Sequence, residues 1–174
     1  MRAEVISSTA VRLTGGGGTR VVGLAGVPDG LVPDALLALA RREPLGASGP
    51  LSVPPDLWEA LYPYQKEGVR RIVHQLRGRC LLADEMGLGK TMQAIAVLMH
   101  YRVDTLVICP AYLQTTWRRA LEEWSAQAVV CSYGKVPDGA SPSLVIVDEA
   151  HYIKSALSQR TQVILPLLLR ASHV

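Results

Sequence analysis

Two short apolar runs in this chain each end in a charged turn. Cys80–Ala83 leads into DEMGLGKT (Asp84–Thr91), and Leu144–Val147 (LVIV) leads into DEAH (Asp148–His151). Runs of this kind form buried parallel strands, and a parallel α/β sheet carries its ligand loops at the carboxyl ends of such strands. The first turn has the parts that wrap a triphosphate. Gly87 and Gly89 let backbone N–H groups point inward, the Lys90 ammonium neutralises β/γ oxygens, and the Thr91 hydroxyl holds Mg²⁺ where a helix begins. The expected nucleotide-binding loop is therefore Asp84, Glu85, Met86, Gly87, Leu88, Gly89, Lys90 and Thr91, with ATP and Mg²⁺ as cofactors. Asp84 departs from the strict pattern, which has glycine at that place.

The second turn complements the first. Asp148, at the end of its strand, reaches Mg²⁺ through the metal's water shell, and Glu149 orients the attacking water. Lys90 and Glu149 are the expected catalytic residues, and Thr91 and Asp148 the metal residues. Either motif alone reads as a chance loop or a solvated acidic turn; the two in this order do not.

The segments between them follow a strand–helix alternation after Pro55, which predicts a parallel α/β sheet. Tyr64, Gly68, Val69, Ile72, Val73 and Leu76 share one helical face, with Lys66, Arg70, Arg71 and Arg77 opposite. The expected strands are Cys80–Ala83, Thr105–Cys109, Ala128–Ser132 and Leu144–Val147. The expected helices are Thr91–Tyr101, Tyr112–Trp124 and Ser158–Arg170, the last kinked or interrupted at Pro166. Arg170–Val174 reads as the lead-in to another buried strand. Residues 1–56 form a separate, poorly structured extension. Within it, Ala10–Leu13 and Arg20–Leu24 flank the Gly15–Gly18 run as a loose hairpin, Pro33–Arg42 is a short helix, and Glu43–Pro55 is a Pro/Gly linker. The glycine run has no Lys-Ser/Thr after it and is no phosphate loop. Two domains are expected, 1–56 and 57–174.

Composition excludes other classes. Met1–Leu13 lacks a continuous apolar core of a signal peptide, and the longest apolar run, Val163–Leu169, is broken by Pro166, so no membrane span is expected. Cys80, Cys109 and Cys131 are scattered, without the clustered spacing of a zinc site, and read as reduced thiols of a soluble, intracellular protein. The net charge of +3 is uneven: residues 1–63 hold five Arg against six acids, and residues 64–174 hold thirteen Lys+Arg against nine acids, giving +4 there. A phosphate-tracking surface and a solvated basic face both fit that balance.

Four motifs in order resemble the SWI/SNF-type helicase-like ATPases of superfamily 2. LYPYQKEGV (Leu61–Val69) resembles the adenine-reading segment, ADEMGLGKT (Ala83–Thr91) the phosphate loop with its Asp-Glu-Met, LVICPAYLQTTWRRALEEW (Leu106–Trp124) the DNA-side motif Ia, and VIVDEAHYIKS (Val145–Ser155) motif II. The wording is closest to the annealing-helicase, fork-remodelling branch, and the resemblance covers Leu57–Val174. It implies a P-loop, RecA-like first lobe of a nuclear, DNA-dependent ATPase that remodels or reanneals duplex DNA in repair, at replication forks or in chromatin. It also implies that Gln65 reads adenine, against a solvent-facing helix-start Gln. His151 would couple nucleotide state to DNA, against a satisfied loop histidine. Pro110, Ala111 and Tyr112 would meet the DNA backbone. Trp117 and Trp124 could stack bases, but their spacing with Leu113 and Leu121 favours core packing. Lys154 and Arg160 read either as phosphate contacts or as solvated cations.

Two departures from the family pattern stand out. The interval from Trp124 to Asp148 is short, and the sequence reaches Val174 before motif III, so the expectation is a fragment lacking a second RecA-like lobe. Isolated, it would bind nucleotide weakly and hydrolyse almost none. A DEAH-type RNA helicase lobe is the alternative enzyme, disfavoured because that group has GxTGSGKT as its phosphate loop. A nucleotide-binding module without turnover is the alternative from another class.

Overall fold

The computed structural model describes the backbone of residues 2–7, 10–15 and 18–23, and residues 49–174 except Met86 and Ala156. The first three segments are strands: β1 (Arg2–Ser7), β2 (Ala10–Gly15) and β3 (Gly18–Gly23), an antiparallel meander in the order β1-β2-β3. The expected hairpin around the glycine run is thus β2–β3, with Gly15 opposite Gly18. Strand β1 was not expected. The helix expected at Pro33–Arg42 lies outside the described residues.

The second region begins at α1 (Pro55–Ala60) and α2 (Pro63–Arg70), which continues into one wider turn, Arg71–Gln75, closed by Leu76 N–H onto the Arg71 carbonyl at 2.9 Å. Then come α3 (Lys90–Tyr101), β4 (Thr105–Cys109), a 3₁₀ turn (Ala111–Leu113), α4 (Gln114–Glu123), β5 (Val129–Ser132) and β6 (Leu144–Val147). A second 3₁₀ turn (Ala150–Ile153) and α5 (Gln159–Arg170) complete the order. Strands β5-β4-β6 form a parallel sheet with β4 in the middle, Cys109 beside Ser132 and Ile108 beside Val147. β4 is buried along its whole length, as a central strand covered on both faces must be. Leu57, Val69, Val73, Ile95, Val107 and Trp117 fill one face, and Ile108, Val145, Ile164 and Leu168 the other. This is an α/β architecture consistent with a partial RecA-like lobe.

Four details differ from expectation. Cys80–Ala83 is not a strand: its only ladder contact among the described residues is at its start, where Cys80 N–H bonds the Val174 carbonyl (2.9 Å) and Val174 N–H bonds the Gly78 carbonyl (2.7 Å). His173 in turn bridges Leu144 in parallel, which sets the tail between β6 and the segment at Gly78–Cys80. Past Cys80 no backbone ladder continues among the described residues, and a parallel strand has no other source of order. Second, Tyr64 is 47% exposed; its neighbours Val69, Ile72 and Val73 carry the burial. Third, the helix expected from Tyr112 starts as a 3₁₀ turn after Pro110 and becomes α-helical at Gln114. Fourth, of the kink or interruption expected at Pro166, the interruption does not occur: α5 continues through this exposed proline, and the carbonyl it cannot satisfy faces water while Ile164, Leu167 and Leu168 bury the other side. Ser158 caps this helix by accepting from Thr161 N–H at 3.3 Å. The Arg79 guanidinium, 6% exposed, closes its other end on the Leu168 (2.8 Å) and Ala171 (2.7 Å) carbonyls.

Candidate nucleotide site

The phosphate loop is held by side chains, not by a sheet. Gly89 has φ +70° and a Cβ there would collide with the Gln65 amide nitrogen; Gly87 has φ +85°. Only glycine meets both demands without strain. Gly89 caps α3, a helix of 12 residues whose first N–H groups have no intrahelical acceptor and face the loop. The Lys90 ammonium reaches back to the Asp84 (2.8 Å) and Glu85 (3.0 Å) carbonyls, and its third N–H has no partner among the described residues. Asp84, the departure from the strict glycine, has a structural role: its Oδ2 accepts from Gln93 Nε2 at 3.2 Å, tying the loop to α3. Gln93 is 1% exposed and lies so close to Gly68 that a Cβ on that glycine would collide with the Gln93 amide oxygen.

Gln65 is buried against this loop. Its Oε1 accepts from Tyr62 N–H (2.9 Å), capping α2, while its Nε2 donates to the Leu88 carbonyl (3.1 Å), which also accepts from the Tyr64 hydroxyl (3.2 Å). Gln65 is therefore a strut between α2 and the loop. Tyr62 and Tyr64 stack with centroids 5.9 Å apart beside it. Met86 lies outside the described residues. Thr91 is half-buried in the first turn of α3.

The acidic turn is held by the sheet. Asp148 N–H continues the ladder onto the Ile108 carbonyl at 2.9 Å. The Asp148 carboxylate accepts the Trp117 indole N–H on Oδ2 (2.8 Å) and Glu149 N–H on Oδ1 (3.0 Å). Tyr133, just past β5, donates its hydroxyl to the carbonyls of Asp148 (2.6 Å) and Glu149 (3.0 Å). Burial, and then the charges of Asp148, Cys109 and Glu149, push that hydroxyl's pKa well up, so it stays a donor. His151 Nδ1 lies 3.1 Å from Glu149 Oε2 on an exposed edge. Trp117 is core, as its spacing suggested, but its polar edge serves the acidic turn; the sequence offered no signal for that, nor for Tyr133. Trp124 also packs on the core.

Of the candidate DNA residues, Ala111 and Tyr112 are exposed and Pro110 is buried. The Tyr112 hydroxyl is raised in pKa by desolvation and then by Tyr152, Glu149 and Asp148. Arg160 lies over the Tyr152 ring at 5.6 Å, and Lys154 is exposed. The three cysteines are free thiols; burial pushes Cys80 and Cys109 up to about 11. No hydrogen bond or ion pair among the described residues joins the loop cluster to the acidic cluster. A groove of about 670 Å³ opens at the other end of the sheet, by Thr105 and Val129, away from both.

Residues 64–142 match the SNF2-related domain family. The DNA annealing helicase and endonuclease ZRANB3 of Mus musculus is 34% identical over 155 residues, covering 68% of this chain and 14% of that protein. A Caenorhabditis elegans homolog of SWI/SNF-related matrix-associated actin-dependent regulator of chromatin subfamily A-like protein 1 is 31% identical over 175 residues, 82% of this chain and 25% of that protein. The Bos taurus protein of that name is 34% identical over 145 residues, 68% of this chain and 15% of that protein. The chain thus spans a quarter or less of these relatives. With the motif order and the parallel sheet, the chain belongs to the SNF2-related, helicase-like family, on the annealing-helicase side that its wording suggested.

Proposed function

We propose that residues 57–174 are the ATP-binding lobe of a DNA-dependent ATPase that remodels or reanneals duplex DNA, acting in the nucleus, with residues 1–56 an extension whose last residues, Leu51 and Val53 among them, pack against it. The observation that carries this reading is the loop Asp84–Thr91: two left-handed glycines, an ammonium and a hydroxyl gathered at the N-terminus of α3. That donor set fits a polyphosphate. In this reading Lys90 neutralises phosphate charge, loop N–H groups orient the phosphate chain, Thr91 and Asp148 hold Mg²⁺, and Glu149 orients the water. Bound Mg·ATP supplies the phosphoanhydride that is cleaved and the charge that is neutralised. Gln65 fixes the loop and faces the adenine, His151 ties Glu149 to the DNA side, and Pro110, Ala111 and Tyr112 form the backbone contact. A second RecA-like lobe would complete the site.

Calorimetry tests the core of this. The chain binds Mg·ATP weakly and Lys90→Ala abolishes binding; equal affinity in the two sinks the reading. The isolated chain should show almost no turnover with duplex DNA, single-stranded DNA or RNA, because an arginine supplied from elsewhere is worth roughly 10³–10⁵ in rate in related motors. Turnover stimulated by RNA and not by DNA would favour an RNA helicase lobe.

A further inference from the structure

Glu149 is in the left-handed region, at φ 57° and ψ 50°. For a residue that is neither Gly, Asn nor Asp this costs free energy, and it persists only where the surroundings over-determine it. Two buried donors from other elements do so here. Tyr133, 6% exposed, holds both carbonyls of the turn through one hydroxyl. Trp117, 3% exposed and on α4, gives its indole N–H to Asp148 Oδ2, while Oδ1 is taken by Glu149 N–H. Each carboxylate oxygen thus has one fixed donor, which sets the rotamer and leaves the remaining lone pairs in defined directions. Tyr152 stacks on the Tyr133 ring at 5.2 Å and keeps that hydroxyl in place.

We propose that Trp117 and Tyr133 are positioning residues for the acidic turn: the indole fixes the Asp148 carboxylate, and the hydroxyl holds the strained backbone that presents Glu149. This rests on the reading of Asp148 as a metal residue. Neither side chain touches nucleotide or metal in this role. Each can be replaced by Phe, which keeps an aromatic ring and removes the donor.

The test uses the whole 174-residue chain with Mn²⁺ as a paramagnetic substitute for Mg²⁺. Mn²⁺ affinity is measured by electron paramagnetic resonance with ADP present, and ADP affinity by calorimetry in EDTA. Asp148→Asn should weaken Mn²⁺ most. Trp117→Phe and Tyr133→Phe should each weaken it about tenfold, the loss typical when a group orienting a metal ligand is removed. ADP affinity without metal should stay within about twofold in all three, which a general loss of structure would not allow. Phe variants with wild-type Mn²⁺ affinity beside a weakened Asp148→Asn overturn the positioning role alone. No weakening in Asp148→Asn overturns the metal reading, and the positioning role with it. The Trp117 indole ¹H–¹⁵N resonance provides a check that leaves Trp117 intact: it should shift in Asp148→Asn, and an unmoved signal overturns the proposal.

Discussion

In the proposed reading the phosphate loop and the acidic turn serve one site, but they are held by opposite means. The acidic turn is the end of a parallel ladder, backed by a buried indole and a buried phenol. Among the described residues the phosphate loop has no ladder beyond Cys80; polar side chains (Gln65, Gln93, Lys90) and the start of α3 hold it. A turn fixed by the sheet shares the cooperative stability of the core, whereas a loop tied by a few exchangeable hydrogen bonds opens locally at lower cost. The contrast suits the proposed roles, a loop that wraps a ligand and a carboxylate already in place.

The largest effect should come from cutting into the sheet. Ile108 is fully buried beside Val147, so Ile108→Ala should cost about 2–5 kcal/mol in urea unfolding and lower protection of the acidic turn in hydrogen exchange. A loss below about 1 kcal/mol would mean that the sheet does not anchor that turn. Next comes Gly68→Ala on the loop side. The added methyl collides with the Gln93 amide, and displacing Gln93 breaks its bond to Asp84, so a loss of about 1–3 kcal/mol is expected, with exchange rising in the loop and not at Asp148. Uniform exchange over both regions would contradict the division.

A pH effect reaches the tail that joins the two regions. Burial depresses His173 below its ordinary 6.5, and nearby Arg79 adds to this against an opposing bond to the Arg77 carbonyl. His100 is depressed by burial and by His74 and His173. A depressed histidine binds fewer protons folded than unfolded, so its stabilisation is present above about 6.5 and is lost as pH falls below that. The melting temperature should drop from pH 7 to pH 5, and His173→Gln should flatten the drop. The smallest effect is local: Arg102 caps α3 at φ 51°, and Arg102→Gly should stabilise by up to about 1 kcal/mol in the same unfolding assay.

The ladder was the legible part. Thr105–Cys109 and Leu144–Val147 are strands with the expected bounds because wholly apolar β-formers bounded by polar turns leave one way to be buried. Cys80–Ala83 is just as apolar, yet a strand needs a neighbour, and pairing is not written in the segment itself. In the loop, Gly87 and Gly89 were legible as glycines because the turn needs a left-handed backbone there, at φ +85° and +70°. Trp117 and Tyr133 were not: an aromatic at core spacing looks the same whether or not its N–H or O–H serves a carboxylate.

Two clusters with no hydrogen bond between them among the described residues make, in the proposed reading, one Mg·nucleotide site. ATP affinity measured with Mg²⁺ and with EDTA, in wild type, Lys90→Ala and Asp148→Asn, tests it directly. Lys90→Ala should lose binding under both conditions, while Asp148→Asn should keep metal-free binding and lose the increment that Mg²⁺ adds. Asp148→Asn with the full wild-type Mg²⁺ increment would contradict it.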